Sequence, residues 1–194
     1  MYGKCIHYGS CPHCNWKIRW IFKDGPAHEL GALVIREVLE RAHVDGTMVD
    51  EVILGEVRQS TEASNIARCA ALEAGLPESV PGFTVNRLCA SSMQAILSGC
   101  QEIWCDQLGV IVAGGTENMS RAPVFLRDAR WGGNKMKLVD SNIEAGTTSA
   151  PASIYGMGLS MSKTAENVAE RVPYYQRATG CLRVESQRRA YRRD

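Results

Sequence analysis

Between Ala27 and His43 the apolar residues Leu30, Leu33, Val34, Val38 and Leu39 recur close to one face of a helix, while Glu29, Arg36, Glu37 and Glu40 fall mostly elsewhere. That periodicity predicts an amphipathic helix with one buried stripe. "VDEVILGEV" follows as a short apolar strand ending near Gly55, and "EASNIARCAALEAG" reads as an Ala-rich helix closed by Gly75. The punctuation of "LPESVPG" separates that helix from a β-branched strand, "FTVNRL". After Cys89, the residues Met93, Ile96, Leu97, Cys100, Ile103 and Trp104 recur at helical spacing, which predicts a helix that buries this side. A compact strand, "LGVIVAGG", comes next. Strands alternating with helices of ten or more residues predict an α/β layer architecture, with a mostly parallel sheet and helices on both faces.

From Ser120 the pattern dissolves into "SRAPVFLRDARWGGNKMKLVDSNIEAGTTSAPASIYGMG", rich in Gly, Ser, Pro and Asn. Such a stretch predicts a long loop lobe leaving the sheet. "SKTAENVAERV" then opens another helix, with Ser162 or Thr164 as cap and Glu166 able to reach back. The expected organisation is a divergent segment over 1–23, an α/β core over 24–119, the lobe over 120–160, and a helix with an Arg-rich end over 161–194.

A chain of 194 residues that is 45% hydrophobic and 22% charged has globular composition and can bury one substantial core. The net charge of +1 provides no steering toward nucleic acid or anionic lipid. No apolar run approaches the ~20 residues of a membrane span, and the start lacks the apolar centre of a secretory signal. Eight cysteines are many, but Cys5, Cys11 and Cys14 crowd the start while Cys69, Cys89, Cys100, Cys105 and Cys181 are scattered, so they form no disulfide framework. A reducing, cytoplasmic setting fits this usage, with neither nucleic acid nor membrane as partner.

Cys89 stands between a strand and a helix, followed by Ala90, Ser91 and Ser92. A thiol attacks as thiolate, and a free one titrates near about 8.5. The first amides of a helix lack partners within it and carry partial positive charge, which favours a thiolate and can receive an oxyanion. The small residues after Cys89 would let a substrate approach the backbone. Free cysteine is also among the most buried residue types. Position alone therefore leaves Cys89 open as a nucleophile or as an inert core thiol.

"VNRLCASSMQAI" followed by "VIVAGGTENMSRAP" resembles the thiolase family, whose first string carries the acyl-accepting cysteine. The resemblance continues, in the family's order, through "HELGALVIREVLERA", "VDEVILGEV", "NIARCAALEAGLPESVP", "RWGGNKMKLVDS" and "KTAENVAERV", over about residues 24–171. It implies the N-terminal half of an acetyl-CoA acetyltransferase or 3-ketoacyl-CoA thiolase, acting in fatty acid metabolism with coenzyme A as substrate or product and no further cofactor. Cys89 is by this resemblance the nucleophile, attacking a thioester and holding the acyl group while CoA leaves. The family's CoA-facing Met-Gly-x-Thr-Ala-Glu-Asn string is matched by "MSKTAEN", residues 161–167, with Ser162 in place of the glycine. Met161 is then a candidate wall of the acyl and pantetheine channel, or a gap filler before a helix. Acyl-CoA or acetyl-CoA is the implied small-molecule partner, and the parent family implies a homo-oligomer.

The pattern also breaks. The resemblance implies a chain about twice as long, whose second half carries a Gly-His-Pro histidine that activates the nucleophile and a Cys-x-Gly cysteine that serves as acid and base. Neither string occurs here, and His7, His13, His28 and His43 all precede Cys89. General acid–base help of roughly 10²–10⁴-fold per group is therefore missing, and little turnover is expected of the 194-residue chain alone. His28 and His43 read as solvated or capping residues. "CPHC" supplies one C-x₂-C pair near His7, whereas a zinc site generally needs two separated pairs, so the start reads as divergent rather than metal-binding. From Arg171 onward seven arginines accompany two acidic residues, a composition that predicts a solvated helix face. The alternative function is a non-catalytic CoA-binding or subunit-binding thiolase remnant, paired with a complete thiolase or a separate second-half chain.

Overall fold

The computed structural model describes residues 22–130, 132, 136–148, 150–156, 158–172 and 176–191. Cys5, His7, Cys11, His13 and Cys14, which bear on the metal question, lie outside the described residues. Helix α1 (Ala27–Ala42) starts after Pro26 and ends at His43, which adopts the left-handed conformation (φ 54°) and sends its N–H to the Glu40 carbonyl. Asp45 caps a short 3₁₀ turn, Gly46–Met48, by accepting from the Thr47 N–H. Strand β1 (Glu51–Gly55) follows, then α2 (Ile66–Glu73). The Asn65 side chain caps α2 by accepting from the Arg68 N–H, and Gly75 at φ 92° turns the chain out of it. Strand β2 (Gly82–Val85), helix α3 (Ser91–Trp104) and strand β3 (Ile111–Gly115) complete this part.

The three strands form a parallel sheet in the order β2-β1-β3, with Val52 opposite Gly82 on one side and Val112 on the other. β1 is central, and its continuous Val-Ile-Leu run is what a strand covered on both faces requires. Val52 and Leu54 join Ile35 of α1 and Ile66, Ala67 and Ala70 of α2 in one core cluster. Ile53, of opposite parity, is also fully buried and lies outside that cluster. Each such side chain removed from water stabilises the fold by roughly 1.5–3 kcal/mol. Small residues set the layer spacing. A Cβ on Gly31 of α1 would lie 3.2 Å from Ala70 and from Thr116, and one on Gly99 of α3 would lie 3.1 Å from Ile111.

Helix α3 corrects one expectation. Its buried residues are Ser91, Ala95 and Gly99, whereas Met93, Leu97, Ile103 and Trp104 are exposed, Trp104 by 75%. Residues four apart share a helical face, and a face of small side chains lets α3 lie close to the sheet. The larger apolar residues flank this contact line instead of forming it.

The chain divides into two compact units, the first closing at Pro123 and the second opening at Val124. In the second, β4 (Val124–Arg127) and β5 (Lys137–Asp140) form an antiparallel pair in which Phe125 faces Val139. Asp140 caps α4 (Ser141–Ala145), and α5 (Ala152–Tyr155), α6 (Met161–Arg171) and α7 (Gln176–Tyr191) follow. The cap of α6 is Ser160, whose hydroxyl accepts from the Lys163 N–H, rather than Ser162 or Thr164. Ser160 is the last extended residue, and the two expected caps are already helical. On α7, Arg183, Arg188 and Arg189 are exposed, as a solvated face requires, and Arg189 pairs with Glu185 at 2.8 Å. Among the described residues no helix is long and apolar enough to cross a membrane.

Candidate functional site

Cys89 lies in the turn that carries the chain from β2 to α3, one residue before the N-cap Ala90, and its side chain is exposed. The inert-core alternative required burial, which this position does not provide. The turn is closely held. Asn86 Oδ1 accepts from the Leu88 N–H at 3.0 Å, Leu88 adopts φ 51°, and the Ala90 N–H donates to the Arg87 carbonyl at 3.2 Å. The Ser91 hydroxyl accepts from the Arg87 N–H at 2.9 Å and donates to the Leu88 carbonyl at 2.6 Å. Arg87 reaches along the helix to hydrogen-bond Gln94 Oε1.

Ser91 is 4% exposed, so its small size serves packing against the sheet rather than substrate approach. A Cβ on Gly55 would lie 2.6 Å from the Ser91 carbonyl carbon, and one on Gly115 would lie 2.1 Å from Ser92 Oγ. The C-terminal ends of β1 and β3 thus support the start of α3. Ala90 and Ser92 are exposed beside Cys89. This arrangement places an accessible thiol beside the N-terminal end of a 14-residue helix.

The described histidines play other parts. His28 pairs with Glu73 of α2 at 3.2 Å, and His43 ends α1. On the α1 side of the sheet lies a cleft of about 10 Å³ lined by Glu56, Glu62, Glu117 and Arg121, room for about one water. Glu117 accepts from the Val57 and Arg58 N–H groups at 2.8 and 3.1 Å. Burial, and secondarily the Glu117 charge, push the Glu56 carboxyl up to about 7. Sequence reading missed this carboxyl pair, because Glu56 and Glu117 are 61 positions apart and meet only through the register Gly55↔Gly115. Asn86 carried a local signal, an Asx-turn residue two positions before Leu88. Met161, 69% exposed, is the first residue of α6 and belongs to the second unit.

The profile described as "Thiolase, N-terminal domain" matches residues 16–193. The chain belongs to the thiolase family. It is 46% identical over 167 residues to a Pseudomonas aeruginosa acetyl-CoA acetyltransferase, covering 85% of this chain and 41% of that protein. It is 41% identical over 175 residues to a Staphylococcus epidermidis protein named "Probable acetyl-CoA acyltransferase", covering 89% and 43% respectively. The crystal structure of the Bacillus anthracis acetyl-CoA acetyltransferase superposes with a TM-score of 0.71 at 38% identity, over 78% of this chain and 37% of that one. The α/β fold is therefore that of a thiolase N-terminal half, and the chain spans about two fifths of the length of these relatives.

Proposed function

We propose that the chain is the acyl-accepting half of an acyl-CoA acyltransferase, of the acetyl-CoA acetyltransferase or 3-ketoacyl-CoA thiolase type. Cys89 Sγ attacks the thioester carbonyl, a new S–C bond forms, and the bond to the CoA sulfur breaks as CoA leaves and takes up a proton. The acyl group then passes to the enolate of acetyl-CoA; in the thiolytic direction Sγ attacks the 3-keto carbon instead, the C2–C3 bond breaks as acetyl-CoA leaves and takes up a proton, and the acyl group passes to CoA. The observation that supports this best is the exposed Cys89 thiol beside the N-terminus of α3, in a chain 46% identical to an acetyl-CoA acetyltransferase.

Met161 is proposed as a wall of the acyl and pantetheine channel, in a lobe and helical end comprising 120–160 and 161–194. The setting is cytoplasmic fatty acid metabolism, with coenzyme A as the only small-molecule carrier. These 194 residues contain neither a Gly-His-Pro nor a Cys-x-Gly string, so little turnover is expected of them by themselves, and the assembled enzyme is proposed as a homo-oligomer.

A second reading is a CoA-binding or subunit-binding protein without acyl transfer. Incubation with acetyl-CoA followed by peptide mass spectrometry separates the two. An acetyl group on the Cys89 peptide, absent in Cys89→Ser, is the expected result; CoA binding without an adduct would favour the binding role.

A further inference from the structure

We propose that Ser91 is a positioning residue for Cys89, acting through the backbone of the turn that presents the thiol. The proposal deepens the acyl-cysteine reading and rests on it for its functional meaning. Leu88 is a bulky residue at φ 51°, a region favoured by glycine and strained for other side chains. Something must hold it there. The Ser91 hydroxyl brackets the strained residue, accepting from the N–H of the preceding Arg87 at 2.9 Å and donating to Leu88 C=O at 2.6 Å, while the Ser91 N–H donates to the same carbonyl at 3.0 Å.

The anchor itself has no room to move. Ser91 is 4% exposed, and the α-carbon of Gly55 lies so close behind it that a Cβ there would stand 2.7 Å from Ser91 Cβ. The rigid central strand β1 therefore fixes Ser91, Ser91 fixes Leu88, and Leu88 fixes the direction in which the next residue, Cys89, leaves the backbone. Alanine at position 91 would retain the helix but leave the Arg87 amide and Leu88 carbonyl without the hydroxyl, allowing Leu88 to relax toward negative φ. The thiol would then swing with the turn relative to the first amides of α3.

The full chain should be treated with iodoacetamide at neutral pH and the rate read separately on the Cys89 and Cys105 peptides. Cys105 is exposed and sits at the opposite end of the same helix, so it reports any general loosening of α3. In Ser91→Ala the ratio of Cys89 to Cys105 rates should fall about two- to fivefold, the rate equivalent of losing a helix-terminus interaction. Asn86→Ala removes the acceptor of the Leu88 N–H from an exposed position, and should lower the ratio in the same direction even if the buried variant folds poorly. An unchanged ratio in Ser91→Ala and Asn86→Ala, or a parallel change at both cysteines, would overturn the proposal. Failure of wild-type Cys89 to take an acetyl group would sink the acyl-transfer reading alone, because the alkylation ratio is measured without any thioester.

Discussion

The α-carbon of Gly55 stands so close to Ser91 that a Cβ there would lie 2.6 Å from the Ser91 carbonyl carbon and 2.7 Å from its Cβ. Gly55→Ala should therefore push backbone against backbone, where no side chain can swing aside. Overpacking of this kind costs about 1–3 kcal/mol, and a thermal melt should show a midpoint several degrees lower. A melt identical to that of the wild type would mean that α3 can recede from the sheet.

The core and the flanks of α3 should respond differently to truncation. Ile53 is fully buried in β1, and Ile53→Ala should cost about 2–5 kcal/mol. Met93 is 60% exposed on α3, and Met93→Ala should stay within about 0.5 kcal/mol of the wild type. Urea titration of both variants checks the pair, and a large loss in Met93→Ala would restore the apolar face that the sequence predicted.

Asn65 ties α2 to β2 through three hydrogen bonds. It accepts from the Arg68 N–H at 3.2 Å and the Thr84 hydroxyl at 2.8 Å, and its amide donates to the Gly82 carbonyl at 2.7 Å. Asn65→Ala should cost about 0.5–2 kcal/mol for the cap alone. Asn65→Asp keeps the acceptors but loses the bond to Gly82, so its urea midpoint should fall between those of wild type and alanine.

Stability should fall as pH rises through the window from about 4.5 to about 7. Glu56 is pushed up to about 7 by burial and then by the Glu117 charge, and Glu51 reaches about 7 through burial and then the hydrogen bond and charge of Glu102. Between the ordinary carboxylate value of 4.5 and about 7 the folded chain holds protons that the unfolded chain has released, so deprotonation favours unfolding. Above about 7 this contribution is gone. Asp45, lowered by the Thr47 hydroxyl, Asp50, lowered by the Val110 and Gly109 amides, and Glu62, lowered by Arg121, act only at more acid pH. Urea midpoints at about pH 5 and about pH 7.5 should differ in the wild type and differ less in Glu56→Gln and in Glu102→Gln. Equal pH dependence in all three proteins would refute the assignment.

Much of the first unit was legible because its strands are short apolar runs and its helices obey helical spacing, with clear punctuation between them. Gly75 does close α2, and the strand expected to end near Gly55 ends there. What periodicity could not reveal was the face that α3 buries, since hydrophobic spacing draws attention to Met93 and Leu97 while contact with the sheet is made through Ser91, Ala95 and Gly99. Smallness, not hydrophobicity, decided that packing. The place of Cys89 between a strand and a helix was visible from its neighbours, but Leu88 at positive φ was not, because the strain depends on a hydroxyl three residues later and a glycine in another strand. The Glu56–Glu117 pair likewise arises only when β1 and β3 lie side by side.

The central place of β1 has a consequence for synthesis. The ribosome delivers this most oily strand before either of its neighbours, and the partner on its second edge, β3, ends about sixty residues later. At about 5–20 residues per second, one border of the nascent ribbon stays open for roughly 3–12 s. During that interval Val52, Ile53 and Leu54 offer unpaired peptide groups to any other emerging chain, so crowded polysomes are where this protein is most exposed to aggregation and where a chaperone would have the greatest effect on yield.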